Sequence, residues 1–179
     1  MRGIEDCRRC PLGTTRRHVV VYRGSSSPRV VFVGEAPGAE EDAVGVPFVG
    51  RAGRRLESAV AAIGLTPEEY GVLNLFKCRP ADNRFDRTAA AACRPFLDRQ
   101  LAMLNPALIV TLGAHALEAL SPGRDRIGLV AGRAIEGGRP AVFPLLHPAA
   151  AMHNPNLRTR WERDFAELGR YLLRPRETV

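Results

Sequence analysis

The 179-residue chain, with 45% hydrophobic and 25% charged residues, has the composition of a single globular domain. It contains no apolar run long enough for a transmembrane helix, and its N-terminus lacks the apolar core of a signal peptide, so we expect a cytoplasmic protein with no membrane span. The formal charge of +7, from 26 basic and 19 acidic residues, suits a polyanionic partner such as nucleic acid, although a GC-rich genome would produce the same arginine-rich composition without such a partner.

Strands and helices are predicted in alternation along the chain. A short edge strand at 18–23 is followed by buried strands at 29–34, 71–76, 107–113 and 141–146. Apolar residues at helical spacing predict helices at 53–64, 88–104, 114–120 and 159–173, the second of them with Thr88 as its N-cap. The glycine-rich segment 124–140 predicts a hairpin or an irregular excursion.

This alternation predicts an α/β fold, with a central four-stranded, mainly parallel sheet in a three-layer α/β/α arrangement, and one domain over 1–179. In such sheets, the chemistry lies outside the carboxyl ends of the strands. Glu35 follows the first buried strand, Asn74 lies in the second and His147 follows the fourth. We therefore expect three polar side chains to converge at one edge of the sheet.

A glycine-rich loop follows the first buried strand, with the sequence GEAPGAEEDAVGVPFVGRAG at 34–53. Its glycines allow close backbone approach to a ligand. The loop matches neither the G-x-G-x-x-G fingerprint nor the Walker A motif, so we do not expect it to bind a dinucleotide or a nucleoside triphosphate.

The four cysteines follow the pattern C-x2-C-x67-C-x14-C, at Cys7, Cys10, Cys78 and Cys93. In a cytosolic protein, metal ligands or free thiols are favoured over disulfides. Only one half of the pattern has the paired form that is typical of zinc sites, and dispersed ligands are compatible with iron–sulfur clusters. The spacing alone leaves a cluster, a zinc site and free thiols open.

An ordered set of motifs resembles the type 4 uracil-DNA glycosylases, the iron–sulfur branch of the uracil-DNA glycosylase superfamily. The motifs are C-x2-C at Cys7 and Cys10, GEAPGAEED at 34–42, PFVGRAG at 47–53, NLFKCRP at 74–80, CRPFL at 93–97 and HPAA at 147–150. The resemblance covers nearly the whole chain. It implies a monofunctional glycosylase that hydrolyses the N-glycosidic bond of uracil in DNA during base excision repair, releasing uracil and leaving an abasic site.

Residue by residue, the resemblance implies a pocket for an extruded base. Phe48 stacks on the base, Asn74 hydrogen-bonds its polar edge, and His147 contacts O2 of uracil as negative charge develops there. Glu35 positions or activates the water, and the backbone amides of Glu35 and Ala36 line the pocket. Ala36 stands where the best-known uracil glycosylases carry a catalytic aspartate.

The resemblance also implies that Cys7, Cys10, Cys78 and Cys93 together bind one [4Fe–4S] cluster, which ties down the N-terminal segment 1–17. We expect a structural role, because none of the proposed chemistry needs an electron. Lys77, the only lysine, is the only side chain that could form a Schiff base with DNA, but its position beside Cys78 favours a surface or cluster-shell role.

The segment HPAAAMHNPNLR at 147–158 corresponds to the loop that enters the duplex in the family. Ala150, Ala151 and Met152 are its apolar wedge candidates, while Arg158 and Arg160 are the candidates for phosphate contacts.

Each of these residues also has a purely structural interpretation. Phe48 can belong to the core, Asn74 can satisfy backbone groups, His147 can be a turn residue and Glu35 can cap a helix. The remaining histidines, His18, His115 and His153, lack any motif and are interpreted as surface or structural residues.

Two other functions compete with the glycosylase. One is a non-catalytic iron–sulfur DNA-binding or polymerase-accessory module on the same fold, and the other is a zinc-stapled hydrolase of unrelated substrate. The expected partners are uracil-containing DNA and free uracil as product, with a sliding clamp as a further candidate. We expect a monomer.

Overall fold

A computed structural model describes residues 4–82, 84–123 and 126–174. The strands in this part are β1 (Arg23–Gly24), β2 (Val30–Gly34), β3 (Tyr70–Asn74), β4 (Leu108–Leu112) and β5 (Ala141–Leu145). The helices are α1 (Leu12–Thr15), α2 (Ala39–Val44), α3 (Arg51–Ala62), α4 (Arg87–Leu104), α5 (Ala114–Leu120), α6 (Ile127–Val130), α7 (Pro148–His153) and α8 (Pro155–Leu173). None of these helices combines the length and the hydropathy needed to cross a bilayer.

The five strands form one sheet in the order β1-β3-β2-β4-β5. Strands β2 to β5 pair in parallel, and β1 lies antiparallel to β3 at the edge. The mainly parallel sheet is confirmed, but the predicted count of four strands is one too few. The predicted edge strand at 18–23 shrinks to two residues, because only Arg23 and Gly24 pair with β3.

Two apolar clusters cover the two faces of the sheet, as the three-layer prediction requires. Side chains alternate along a strand, so Val30 and Phe32 face one side while Val31 and Val33 face the other. The first cluster packs the sheet against α3 and α8 with Leu56, Val60, Trp161, Phe165 and Leu168. The second packs it against α4 with Ala89 and Leu97. Burial on both faces explains why β2 and β4 are almost entirely apolar, with Thr111 as the one polar residue in the two strands.

The predicted N-cap of α4 is wrong by two residues. Asp86, rather than Thr88, caps the helix, and its carboxylate accepts hydrogen bonds from the backbone amides of Thr88 (2.8 Å) and Ala89 (3.1 Å). Thr88 lies inside the first turn. A carboxylate is the better partner for a helix N-terminus, because it carries a full negative charge opposite the helix dipole.

The region after β5 contains more helix than the sequence predicts. Helix α7 begins directly after His147, and α8 begins at Pro155 instead of at residue 159. The Asn154 side chain caps α8 by accepting from the amides of Asn156 (2.9 Å) and Leu157 (3.4 Å). A proline at the first position of each helix fits this arrangement, since proline needs no partner for an amide hydrogen.

The segment predicted as a hairpin or an excursion at 124–140 contains the short helix α6 and one isolated antiparallel bridge from Ile135 to Val142. Residues 124 and 125 of this segment lie outside the described residues.

Candidate active site

The carboxyl ends of three parallel strands carry the polar residues that the sequence predicts there. Gly34 and Asn74 are register partners at the ends of β2 and β3, so Glu35 follows directly beside Asn74. His147 follows β5 by two residues, and its ring lies 6.2 Å from the ring of Phe48, which itself lies against Gly34 and Asn74. The predicted convergence at one edge is therefore confirmed.

Phe48 closes this edge from the loop between α2 and α3. Its ring lies 6.2 Å from the ring of His147, measured between centroids, and its side chain is buried. Its backbone has a φ of 56°, a left-handed conformation that is uncommon for a residue with a bulky side chain. Such conformations cluster at functional sites, where the surrounding structure holds them in place.

Gly34 is the point at which Phe48 and Asn74 meet. A Cβ atom on Gly34 would lie 2.6 Å from Cζ of Phe48 and 2.5 Å from Oδ1 of Asn74. Real Cβ atoms are essentially never so close to other heavy atoms. Only glycine at this position lets the aromatic ring and the amide share one small site.

We expect Gly34→Ala to impair this site by about a hundredfold in rate, because the added methyl group displaces both pocket side chains by roughly an ångström. The measurement is the single-turnover rate on a uracil-containing duplex, the substrate that the sequence resemblance implies. Gly128→Ala is the matched control, since a Cβ there meets no atom within 4 Å. Equal rates for the two variants would show that Gly34 does not border the reaction site.

Asn74 is buried, with 1% of its surface exposed, and its Oδ1 atom has no hydrogen-bond partner among the described residues. An unsatisfied buried acceptor costs about 1–3 kcal/mol. The fold tolerates this cost in a position beside the Phe48 ring, where both side chains border Gly34. The arrangement is suited to a ligand that brings a hydrogen-bond donor into the site.

His147 is the N-cap of α7, and this contact fixes its tautomer. Its Nδ1 atom accepts a hydrogen bond from the backbone amide of Ala149 at 3.2 Å, so the hydrogen of the neutral ring lies on Nε2. Burial lowers the pKa of His147 below its usual 6.5, and the charges of Glu35 and Glu41 partly oppose this effect. The side chain therefore offers a neutral Nε2–H donor.

Glu41 is a site residue that the sequence analysis did not identify. Its buried carboxylate accepts hydrogen bonds from the amides of Gly38 (3.0 Å) and Gly50 (2.8 Å), which lie on the two sides of α2. Glu41 thus holds together the loop that carries Phe48. The available signal was a glutamate three residues after the glycine that precedes a helix, the spacing of a capping box.

Glu35 is held at both its backbone and its side chain. Its carbonyl oxygen accepts from the amide of Phe76 at 2.9 Å, and its Oε2 atom lies 2.5 Å from Nδ1 of His115. His115 is exposed, as expected for a surface residue, but the contact with Glu35 gives it a place at the site that no sequence motif indicated. Ala36, the next residue in the loop, is half-buried and packs against the second apolar cluster.

Of the other two histidines, only His18 has a described side chain, and it lies apart from this group. His18 is exposed and its Nδ1 atom contacts the backbone carbonyl of Asp42 at 2.8 Å, in agreement with a structural role. The side chain of His153 lies outside the described part of the chain.

Helix α7 narrows the choice of wedge residue. Ala151 is 2% exposed and belongs to the first apolar cluster, so its assignment as a wedge candidate is wrong. Ala150 and Met152 are half-buried, and Met152 lines a groove of 360 Å³. The groove is also lined by three arginines, Arg51, Arg55 and Arg158.

Arg158 and Arg160, the predicted phosphate contacts, lie in different grooves. Arg158 lines the groove beside Met152, whereas Arg160 lines a separate groove and pairs with the carboxylate of Asp164 at 3.4 Å. Arg160 also donates to the carbonyl of Gly128 at 2.6 Å. Residues two apart on an α-helix point to nearly opposite faces, because each residue turns the helix by about 100°, and the sequence prediction did not take this into account.

One small cavity near the N-terminus is lined by all four cysteines, Cys7, Cys10, Cys78 and Cys93. None of the four is paired in a disulfide. Burial raises the pKa of the Cys78 thiol to about 11, and the nearby Cys93 and Cys10 add to this effect, while Arg16 opposes it with a hydrogen bond of 3.6 Å to Sγ. The four thiols thus border one small space, in which burial disfavours the ionised form of Cys78.

The four thiols do not form a compact ligand group for one metal ion, and no other such group occurs in the described ranges. Zinc bonds each sulfur at about 2.3 Å and needs its ligands gathered around a single point. A [4Fe–4S] cluster takes one thiolate at each of its four irons, so its ligands stand farther apart. Four cysteines around one cavity match the number and the kind of ligands that a [4Fe–4S] cluster takes.

Lys77 lies between the cysteine cavity and Asn74. Its side chain is 1% exposed, it lines the cavity, and its Nζ atom donates a hydrogen bond to the carbonyl oxygen of Asn74. Burial lowers its pKa to about 7, although the charge of Cys93 opposes the shift. A surface role for Lys77 is therefore wrong, whereas the position beside the cysteines agrees with the alternative expectation.

Comparison with known proteins assigns the chain to a family. The family model described as the uracil DNA glycosylase superfamily matches residues 21–168. A type-4 uracil-DNA glycosylase from Saccharolobus solfataricus is 38% identical over 175 residues, which cover 92% of this chain and 81% of that protein. Proteins of the same name from Archaeoglobus fulgidus and Thermotoga maritima are 39% and 42% identical, over 94% and 84% of this chain and 89% and 80% of their own lengths. The chain belongs to the uracil DNA glycosylase superfamily and, within it, to the type-4 group.

Proposed function

We propose that this chain is a monofunctional glycosylase that hydrolyses the bond between uracil and deoxyribose in DNA, leaving an abasic site for base excision repair. The observation that carries the proposal is the buried, unpartnered Oδ1 of Asn74, which lies beside Phe48 in a site with a neutral histidine donor. The relatives that share most of the chain are named as uracil-DNA glycosylases.

Asn74 accounts for the choice of base. An enzyme that acts on a base extrudes it from the duplex and reads its polar edge. The N3–H of uracil supplies the donor that Oδ1 lacks, and the amide nitrogen of Asn74 donates to O4. Cytosine has an acceptor at N3 and a donor at C4, so both hydrogen bonds would be lost.

His147 and Glu35 account for bond cleavage. The departing uracil carries negative charge, which the Nε2–H of His147 stabilises at O2, while the Glu35 carboxylate stabilises the cationic sugar and orients water. Ala36 offers no second carboxylate, so Glu35 is the acidic residue of the first motif that serves this role.

The test is incubation of the purified protein with a duplex that contains one U·G pair, followed by alkali. We expect strand breakage at the uracil position and none in a matched duplex with cytosine there. A non-catalytic DNA-binding module would bind the same duplex and leave no abasic site, and that result would overturn the proposal.

The groove beside α7 is the proposed path of the DNA. Met152 is the wedge residue that fills the gap left by the base, and the basic side chains of Arg51, Arg55 and Arg158 contact the phosphates. In this proposal, the enzyme acts as a monomer in the cytoplasm, and a sliding clamp is a candidate partner.

We propose that Cys7, Cys10, Cys78 and Cys93 bind a [4Fe–4S] cluster, which supplies a cross-link and no step of the reaction. The cross-link joins the N-terminal segment 1–17 to the start of α4. Within this segment, Arg16 already donates to the carbonyl of Cys7 at 2.8 Å, so the chain is folded toward the cavity.

We expect the purified protein to be brown, to contain close to four irons per chain, and to lose them in Cys93→Ser. The measurements are iron analysis and visible absorption. Arg9→Ser, at another side chain that lines the cavity, is the matched control and should keep its iron. A colourless protein with bound zinc would contradict the proposal.

We expect no covalent enzyme–DNA adduct when borohydride is added during turnover. Lys77 is the only lysine of the chain, and its amine is buried against the carbonyl of Asn74, out of reach of a sugar. The measurement is gel analysis of the trapped reaction. An adduct that forms with the natural chain and disappears in Lys77→Ala would show that the enzyme is bifunctional.

A further inference from the structure

His115 and Glu35 belong to a closed chain of contacts at the edge of the sheet. Nδ1 of His115 lies 2.5 Å from Oε2 of Glu35, and the ring of His115 stacks on Phe85 with centroids 4.0 Å apart and planes at 17°. Phe85 in turn packs on Phe76, at 5.3 Å between centroids. The amide of Phe76 donates to the carbonyl of Glu35 at 2.9 Å, which closes the chain.

This arrangement differs from an ordinary surface ion pair. When two long exposed side chains of such a pair separate, little free energy is lost, because each side chain has many other conformations available. Here the imidazole is stacked on the ring of Phe85, and the backbone of Glu35 is fixed by the hydrogen bond from the amide of Phe76. Both partners are therefore restricted before the hydrogen bond forms.

The contact also determines which atoms remain available. An ionised carboxylate only accepts hydrogen bonds, so Nδ1 of His115 carries the hydrogen and donates to Oε2 of Glu35. The other carboxylate oxygen, Oε1, is not the one that His115 engages. The imidazole thus holds the Glu35 carboxylate in one orientation through Oε2 and leaves Oε1 for another hydrogen-bond partner.

We infer that His115 is a positioning residue that fixes the Glu35 carboxylate for water activation, an inference that rests on the proposed glycosylase function. In the hydrolysis, the water oxygen bonds to C1′ of the sugar while the C1′–N1 bond breaks and leaves its electron pair on uracil. The proton of the water passes to Oε1 of Glu35. His115 itself touches neither the base nor the water.

The first test compares three side chains at position 115 by single-turnover kinetics on a U·G duplex. His115→Leu should lower the rate by about tenfold to a hundredfold, the scale of a carboxylate displaced by an ångström or less. His115→Asn should recover most of the rate, because its Nδ2 donor lies as many bonds from Cα as Nδ1 of histidine. Glu118→Ala, an exposed change on the same helix, is the control and should keep the full rate.

The second test asks whether His115 acts through Glu35. The effects of Glu35→Gln and His115→Leu should not add, since in a double variant the histidine has no carboxylate left to position. Phe85→Leu should lower the single-turnover rate partially when Glu35 is present. It should cause no further loss of rate in Glu35→Gln. Affinity for abasic product DNA should change little in all of these variants.

The outcomes separate the inference from the proposed function. If the natural chain removes no uracil, the proposed function fails and the inference with it. If the natural chain is active, then a full rate in His115→Leu, no recovery in His115→Asn, or strict additivity with Glu35→Gln each overturns the role of His115 alone.

Discussion

Asn74→Asp is expected to reduce uracil excision by about a thousandfold or more, because a site built to hydrogen-bond its substrate discriminates strongly when one partner is changed. The amide nitrogen that donates to O4 is replaced by a carboxylate oxygen, which repels O4 instead. The buried position of Asn74, at 1% exposure, gives the new charge little access to water. The measurement is the single-turnover rate at saturating enzyme.

Asn105→Asp is the matched control for this substitution. Asn105 is exposed at the end of α4, just before β4 begins, and therefore lies at the edge of the sheet opposite the site. It should keep the natural rate. In Asn74→Asp, the new carboxylate accepts a hydrogen bond from the amino group of cytosine, so this variant should gain weak cytosine excision. An unchanged uracil rate in Asn74→Asp would remove Asn74 from the pocket.

The parts of the site that the sequence predicted share one physical cause. Parallel strands end at the same edge, so residues that follow apolar runs in the sequence must come together in space. Glu35, Asn74 and His147 obey this rule, and the structure brings them together around Phe48. The motif in the loop before α3 supplied Phe48, which no strand pattern could have placed.

The residues that the sequence missed depend on contacts between distant segments. His115 reaches Glu35 across 80 positions of sequence, and it is recognisable only when the ends of β2 and β4 are seen side by side. Glu41 was visible as part of an acidic run, but its bond to Gly50 depends on how the loop after α2 turns back. Periodicity describes single elements and carries no information on such pairs.

Burial explains the other corrections. Lys77 has a charged side chain and was expected at a surface or beside the cluster ligands, yet the cavity of the cysteines and the carbonyl of Asn74 enclose it. Ala151 was counted with its neighbours as a wedge candidate, although only one face of α7 can point away from the core. In both cases, the direction of the side chain was decided by tertiary packing.

His147→Ala is expected to lower the chemical step by about a hundredfold to a thousandfold, the effect of removing one donor from an oxyanion site. The substitution removes the Nε2–H that stabilises negative charge on O2 of the departing uracil. It also removes the cap on the amide of Ala149, so the thermal stability of the variant should be measured beside its rate.

The pH dependence of this effect distinguishes a neutral donor from a charged acid. Burial lowers the pKa of His147 below 6.5, so the ring is neutral at and above neutral pH. The ratio of the natural rate to the His147→Ala rate should therefore stay constant between about pH 7 and pH 9. If the protonated ring were the active form, the ratio would fall about tenfold for each pH unit in this range.

Phe48→Ala provides the contrast that locates the effect of His147 in the reaction. Stacking on an aromatic ring contributes about 1–3 kcal/mol for each base, so loss of the Phe48 ring should mainly weaken capture of the extruded uracil. Its rate should recover at high enzyme concentration, whereas the rate of His147→Ala should stay low at saturation. Because the two rings lie 6.2 Å apart, a general collapse of the pocket would affect both variants in the same way. A natural single-turnover rate in His147→Ala at saturating enzyme would show that O2 of uracil receives its hydrogen bond from another group.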